Sequence, residues 1–161
     1  MTEPCDLTAV EARRLIGQKA LSPVELTDSC IGRIEAVDSS VNAMVTRCFE
    51  RAQSEAKAAE AAVMQGDALG ALHGLPMGVK DLNVTEGVLT TYGSPMHAEN
   101  VPAKDERIIA ALREAGAIVI GKTNTPEFGA GANTKNAVFG ATGNPFDPSR
   151  ICGGSSGGSA V

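Results

Sequence analysis

The sequence predicts an α/β fold with a helical N-terminal layer, and three observations carry that prediction. Glycine is unevenly spread: Gly17 and Gly32 are the only two before position 66, and the other 16 of the 18 fall between Gly66 and Gly158. Before the change, apolar residues recur at helical spacing; after it they come in short runs punctuated by Gly and Pro, the pattern of strands and turns. One segment, "DERIIAALREAGAIVIGKTN", reads in succession as helix, turn and buried strand, which is half of a βαβ unit.

The elements follow in order. "LTAVEARRLIGQ" places Val10, Leu15 and Ile16 on one helical stripe. "LSPVELTDSCIGRIEAV" starts a second helix with Ser22 as cap and Pro23 at its first position, where a missing N–H costs nothing. "VNAMVT" reads as a short strand, and the alanine-rich "CFERAQSEAKAAEAAVMQG" as a third helix ending at Gly66. "LHGLPMGVKD" contains a strand. Asp105 to Ala115 reads as a helix, Gly116 as a turn, and Ala117 to Ile120 as a buried strand. Residues 1–66 are thus a helical layer and 67–161 a Gly-rich α/β part of one domain.

Composition removes several function classes. Fourteen Lys and Arg stand against 19 Asp and Glu, a net charge of −5, so no basic field draws in nucleic acid. No apolar run reaches the roughly 20 residues of a membrane span, and the opening "MTEPCDLTAVEARR" lacks the order of a signal peptide. A soluble, cytoplasmic protein with no nucleic-acid or membrane partner is expected. Cys5, Cys30, Cys48 and Cys152 form no Cys-x-x-Cys pair, and with only His73 and His97 no zinc spacing arises. Free thiols, no metal and no cofactor are expected.

Four stretches invite a chemical reading. Gly116 to Thr123 matches the phosphate-loop pattern G-x-x-x-x-G-K-T, but its middle residues "AIVI" favour a strand, and Pro126 disfavours helix at Thr125. A nucleotide binder is therefore the least favoured function. Lys80 closes a short apolar strand, and is either a surface lysine extending its head to water or a buried neutral base. Lowering its pKa from about 10.4 to about 7 takes about 4 kcal/mol, which full desolvation can supply. The loop "GGSSGGS" is a linker, a phosphate nest or a place of close backbone approach. Thr90, Thr91, Ser94, Thr123 and Asn124 sit in turn contexts, and by themselves read as turn caps.

Taken together, "LHGLPMGVKDLNVTEGVLTTYGSP", "ALREAGAIVIGKTNTPEFGAGANT" and "AVFGATGNPFDPSRICGGSSGGSAV" resemble the amidase signature family of Ser–Ser–Lys amide hydrolases, almost continuously from Leu72 to Val161. The resemblance implies the N-terminal part of the amidase signature fold, a mixed central sheet covered by helices, in one incomplete domain. It makes Lys80 the general base and Ser155 the bridging serine, which follows a cis peptide from Gly154. It implies hydrolysis of a small-molecule carboxamide through an acyl-enzyme, without a cofactor. The family's nucleophile lies some two dozen residues beyond the bridging serine, in a Gly-Ser-Asp-x-Gly-Gly-Ser type segment, so the 161-residue chain alone is expected to be inactive. Gly143 stands where an arginine is common in the family. "NTPEF" and "TTYGSP" look more like stand-alone amidases than the transamidosome subunit. The alternative is a non-catalytic remnant or interaction module of the same fold, and the expected macromolecular partner is the missing C-terminal portion or a second copy of the chain.

Overall fold

The computed structural model describes residues 3–161. Its elements are α1 (Ala9–Gly17), α2 (Pro23–Val41), β1 (Met44–Arg47), α3 (Phe49–Gln65), β2 (Pro76–Lys80), α4 (Arg107–Glu114), β3 (Ile118–Thr123), the short strands β4 (Lys135–Asn136), β5 (Gly140–Ala141), β6 (Gly143–Asn144) and β7 (Asp147–Ile151), and α5 (Gly157–Ala160). They divide into two compact units. Among the described residues, the first holds 3–34, 48–77 and 110–120, and the second 35–47, 78–109 and 121–161.

Local chemistry explains the helix ends. Thr8 caps α1 by accepting the Glu11 N–H. Ser22 and Glu25 form a reciprocal box at the start of α2: the Ser22 hydroxyl accepts the Val24 and Glu25 N–H groups, and the Glu25 carboxylate accepts the Ser22 N–H. The helix passes the expected Val37 and stops at Val41, where Asn42 takes φ 54°. Gly66 closes α3 in the left-handed conformation, with φ 82°.

The first unit is built on apolar packing. Ala12, Ile16, Leu21, Leu26 and Val63 form its buried cluster, with Leu7, Leu15, Cys30, Leu69 and Leu75 against it. Val10 departs from the sequence reading, for it is 82% exposed. At 3.6 residues per turn it lies about 120° around the helix from Ile16, whereas Ala12 lies about 40° away and takes the buried place. All four cysteines are free thiols. Burial, with Cys5 nearby, pushes the Cys30 thiol up to about 11.

A three-stranded sheet has the order β1-β3-β2. β1 and β3 are antiparallel, with Met44 opposite Thr123 and Arg47 opposite Gly121. β2 runs parallel to β3, because the Ile118 N–H donates to the Leu75 carbonyl and the Asp81 N–H to the Thr123 carbonyl. The sheet is therefore mixed, and β2, α4 and β3 complete the βαβ unit of which the sequence suggests half. β3 extends past Ile120 to Thr123, and all six of its residues are buried. This overturns any phosphate-loop reading of Gly116 to Thr123, since its middle residues are strand and Lys122 is enclosed.

The second unit is enclosed by polar groups. Asp38, Asp81, Thr85, Thr90, Thr91, Ser94, Lys122, Thr123, Asn124, Thr125, Thr134, Asn136 and Thr142 are all buried there. Asn136 uses its whole amide: its NH2 donates to the Asn124 side chain and the Thr125 carbonyl, and its oxygen accepts the Val138 and Phe139 N–H groups.

Two glycine substitutions separate the demands on the fold. A Cβ at Gly121 in β3 would overlap the Thr46 carbonyl oxygen of β1, whereas at Gly32 in α2 it would meet nothing within 4 Å. Gly121→Ala is expected to destabilise by about 1–3 kcal/mol, and Gly32→Ala to stabilise by about 0.5–1 kcal/mol. Urea unfolding midpoints of the two variants check both signs.

Candidate active site

Lys80 ends β2, and the next residue turns the strand inward. Asp81 is fully buried, and its carboxylate accepts from the Thr91 N–H at 3.0 and 3.2 Å, the Thr91 hydroxyl at 2.5 Å and the Gly93 N–H at 3.4 Å. Strand alternation then sends Lys80 to the other side. There its amine lies 2.8 Å from Ser155 Oγ and 3.0 Å from Ser156 Oγ.

The serine pair sits on a loop that backbone contacts fix at both ends. Thr134 donates its N–H to the Gly153 carbonyl and accepts the Gly157 N–H at its hydroxyl. Thr125 donates its hydroxyl to the Ser155 carbonyl at 3.3 Å. Gly157 and Gly158 are required by close approach: a Cβ at the first would overlap the Thr134 hydroxyl and Cys152 Sγ, and at the second the Asn124 N–H. The Gly154–Ser155 peptide is cis. Ser159 pairs with the Thr123 hydroxyl at 2.6 Å rather than with Lys80.

Desolvation holds the Lys80 amine below the ordinary lysine value of 10.5. The side chain is only partly buried, so the burial that a neutral base needs is met in part. The amine's two partners are neutral hydroxyls that accept from an ammonium and donate to a free amine, so the arrangement suits a proton relay.

The fold brings Lys80 and Ser155 together across 75 residues of sequence. Ser156, to which the sequence assigns no role, shares the same amine. Thr90, Thr91, Thr123 and Asn124, which read as turn caps, are instead buried partners of Lys122, Asp81, Ser159 and Asn136. The signal for them in the sequence is their density in two short stretches, one after Lys80 and one after Lys122. Among the described residues no group of three or more His, Cys, Asp or Glu side chains is placed to hold a metal, and no helix is long and apolar enough to cross a membrane. A concavity of about 340 Å³ in the first unit is lined by residues including Lys19, Ser22, Glu60 and Met64 and contains neither Lys80 nor Ser155. At Gly143 in β6 a Cβ would come within 3.1 Å of the Pro148 carbonyl oxygen in β7, so a side chain there presses on the backbone of the paired strand.

A family model described as Amidase matches residues 25–161. The chain belongs to the amidase family. Among curated relatives, the A subunit of the glutamyl-tRNA(Gln) amidotransferase of Moorella thermoacetica is 48% identical over 155 residues, covering 96% of this chain and 32% of that protein. The corresponding amidotransferase subunit of Dehalococcoides mccartyi is 40% identical over 161 residues, covering 100% and 33%. Among solved structures, a bacterial aryl acylamidase of the amidase signature family is 34% identical with a TM-score of 0.89, covering 96% of this chain and 32% of that one. Peptide amidase from Stenotrophomonas maltophilia is 30% identical with a TM-score of 0.91, covering 99% and 34%. The chain therefore spans about a third of the length of these relatives. Its mixed sheet and helices are those of the corresponding third of the amidase signature fold. Both amidotransferase subunits and amidases occur among the relatives.

The lowered lysine has a readable consequence. Because its folded value lies below 10.5, the unfolded chain binds more protons between the two values, and Lys80's contribution to stability rises as pH rises through that interval. Competitive labelling of the folded chain with acetic anhydride over the alkaline range, read by peptide mass spectrometry, is expected to give Lys80 a midpoint below 10.5.

Proposed function

We propose that this chain carries two of the three catalytic groups of an amide hydrolase, with Lys80 as general base and Ser155 as bridging serine. The observation that supports this reading best is the 2.8 Å contact between Lys80 Nζ and Ser155 Oγ. The substrate class is a carboxamide, cleaved to a carboxylate and ammonia or an amine.

In this mechanism the neutral Lys80 amine takes the proton of Ser155, and Ser155 takes the proton of a nucleophilic serine as that oxygen attacks the amide carbonyl. Backbone N–H groups hold the oxyanion. The C–N bond breaks as the proton returns through Ser155 to the leaving nitrogen, and water then attacks the acyl ester by the same route in reverse. Two hydroxyls on one amine suit this, since Ser156 can keep the amine in place while Ser155 exchanges protons. The nucleophile is assigned to a segment outside these 161 residues, within the same incomplete domain, so the chain alone is catalytically silent. A macromolecular partner is consistent with the relatives among which this chain falls, since the Moorella thermoacetica relative is the A subunit of an amidotransferase. A non-catalytic remnant of the fold is the competing reading.

In a longer protein that contains this chain and a downstream nucleophile segment, Lys80→Ala and Ser155→Ala are each expected to lower kcat by about 10²–10⁴-fold. The 161-residue chain should turn over no amide and bind no serine-directed fluorophosphonate. Labelling of Ser155, Ser156 or Ser159 in the chain, or full activity of Lys80→Ala in the longer protein, would refute the assignment.

A further inference from the structure

Lys122 is the largest fully buried side chain among the described residues. An ammonium taken from water is unfavourable unless its donors are matched and an anion stands near. Its three donors find three acceptors, the Asn83 carbonyl and the hydroxyls of Thr85 and Thr90. All three are neutral. A carboxylate stands near: Thr90, which accepts from Lys122, is followed by Thr91, which donates to Asp81, and Lys122 attracts the Asp81 carboxylate electrostatically, opposing the rise in proton affinity that burial causes.

The strand register gives this pair a place beside the candidate site. Asp81 follows Lys80 and donates its N–H to the carbonyl of Thr123, which follows Lys122. The dipeptide Lys80-Asp81 thus lies alongside Lys122-Thr123, with Lys80 turned to two neutral hydroxyls and Asp81 turned inward. An unbalanced carboxylate one residue from Lys80 would favour the ammonium and oppose its use as a base. The segment between β2 and α4 carries four further acids, Glu86, Glu99, Asp105 and Glu106; Glu106 is engaged by the Asn83 side chain and the Val84 N–H, and Asp105 by the Glu86 N–H.

We propose that Lys122 is a charge-balancing residue for Lys80, its enclosed ammonium cancelling the Asp81 carboxylate so that the Lys80 amine lies against Ser155 without a counter-ion of its own. This deepens the assignment of Lys80 as base and rests on it for its meaning in catalysis. Lys122 touches no reacting atom in this account and acts through Asp81.

The test is the proton affinity of Lys80 in the folded 161-residue chain, measured by competitive acetic anhydride labelling with circular dichroism as the check of folding. Lys122→Met is expected to raise that affinity by about tenfold, seen as less labelling of Lys80 at a given pH. Asp81→Asn should lower it, and the double variant, which removes both charges, should return it to within about threefold of the parent. Lys122→Arg keeps the charge and should leave it unchanged. An unaltered Lys80 midpoint in folded Lys122→Met, or a double variant shifted as far as the single one, would overturn the proposal. If Lys122→Met does not fold, the double variant and Lys122→Arg decide, since a tenfold shift in either contradicts charge balance. Acetic anhydride labelling needs no turnover, so this outcome is separate from the fate of the base assignment, which falls if Lys80→Ala stays active in the longer protein.

Discussion

The second unit depends on one constraint, that a fully buried ammonium must have every donor matched. Lys122 meets it by drawing in Asn83, Thr85 and Thr90, so the segment after β2 cannot leave the sheet. Thr91 then stands beside Asp81, and its N–H and hydroxyl close on the carboxylate. Each bond has a modest net value, about 0.5–1.5 kcal/mol, yet leaving any one of these groups unpaired inside the protein costs more than making it gains. The network therefore holds as a set, and its product is a fixed end to β2.

The two units solve the burial problem differently. The first uses leucine, isoleucine, valine and alanine on helix faces, where apolar area is the stabilising quantity. The second buries threonine, asparagine, aspartate and lysine, with apolar residues such as Val79 and Val88 interspersed. Apolar packing tolerates exchange among side chains of similar volume, whereas a hydrogen-bonded interior fixes partner, distance and direction together. A site that needs two hydroxyls within hydrogen-bond reach of one amine is better served by the second kind of interior.

That difference also explains how much is legible in the sequence. Ser22, Pro23, Gly66 and Gly116 act through their own backbone or through neighbours within a turn, so the helix and strand boundaries near them can be read directly. Lys80 and Ser155 emerge through motif resemblance, since on spacing alone Lys80 also suits a surface lysine. Val10 misleads because an apolar residue counts toward a stripe only when its angle around the helix is followed. Lys122 is the harder case. It sits in a phosphate-loop pattern that the run "AIVI" argues against, but its true partners lie more than thirty residues earlier and look like ordinary turn residues. A threonine that caps a turn and one that receives a buried ammonium have the same spelling, and only the fold tells them apart.

The glycine-serine loop gains its definition from the same economy of contacts. Thr134 grips it at Gly153 with its N–H and at Gly157 with its hydroxyl, so a single residue sets the span between the two ends. Glycine is needed where the loop presses on Thr134, Cys152 and Asn124, and serine is left at the two positions that face Lys80. A serine hydroxyl has one side-chain torsion to fix, whereas a lysine has four, and ordering so long a chain carries up to about 2 kcal/mol of rotamer entropy. Two acceptors on the amine offset part of that, and the buried carboxylate one residue along anchors the strand from which the lysine extends. Precision in the Lys80 to Ser155 distance thus comes from backbone on the serine side and from a buried polar anchor on the lysine side, and loosening either would move the two groups apart without altering their chemistry.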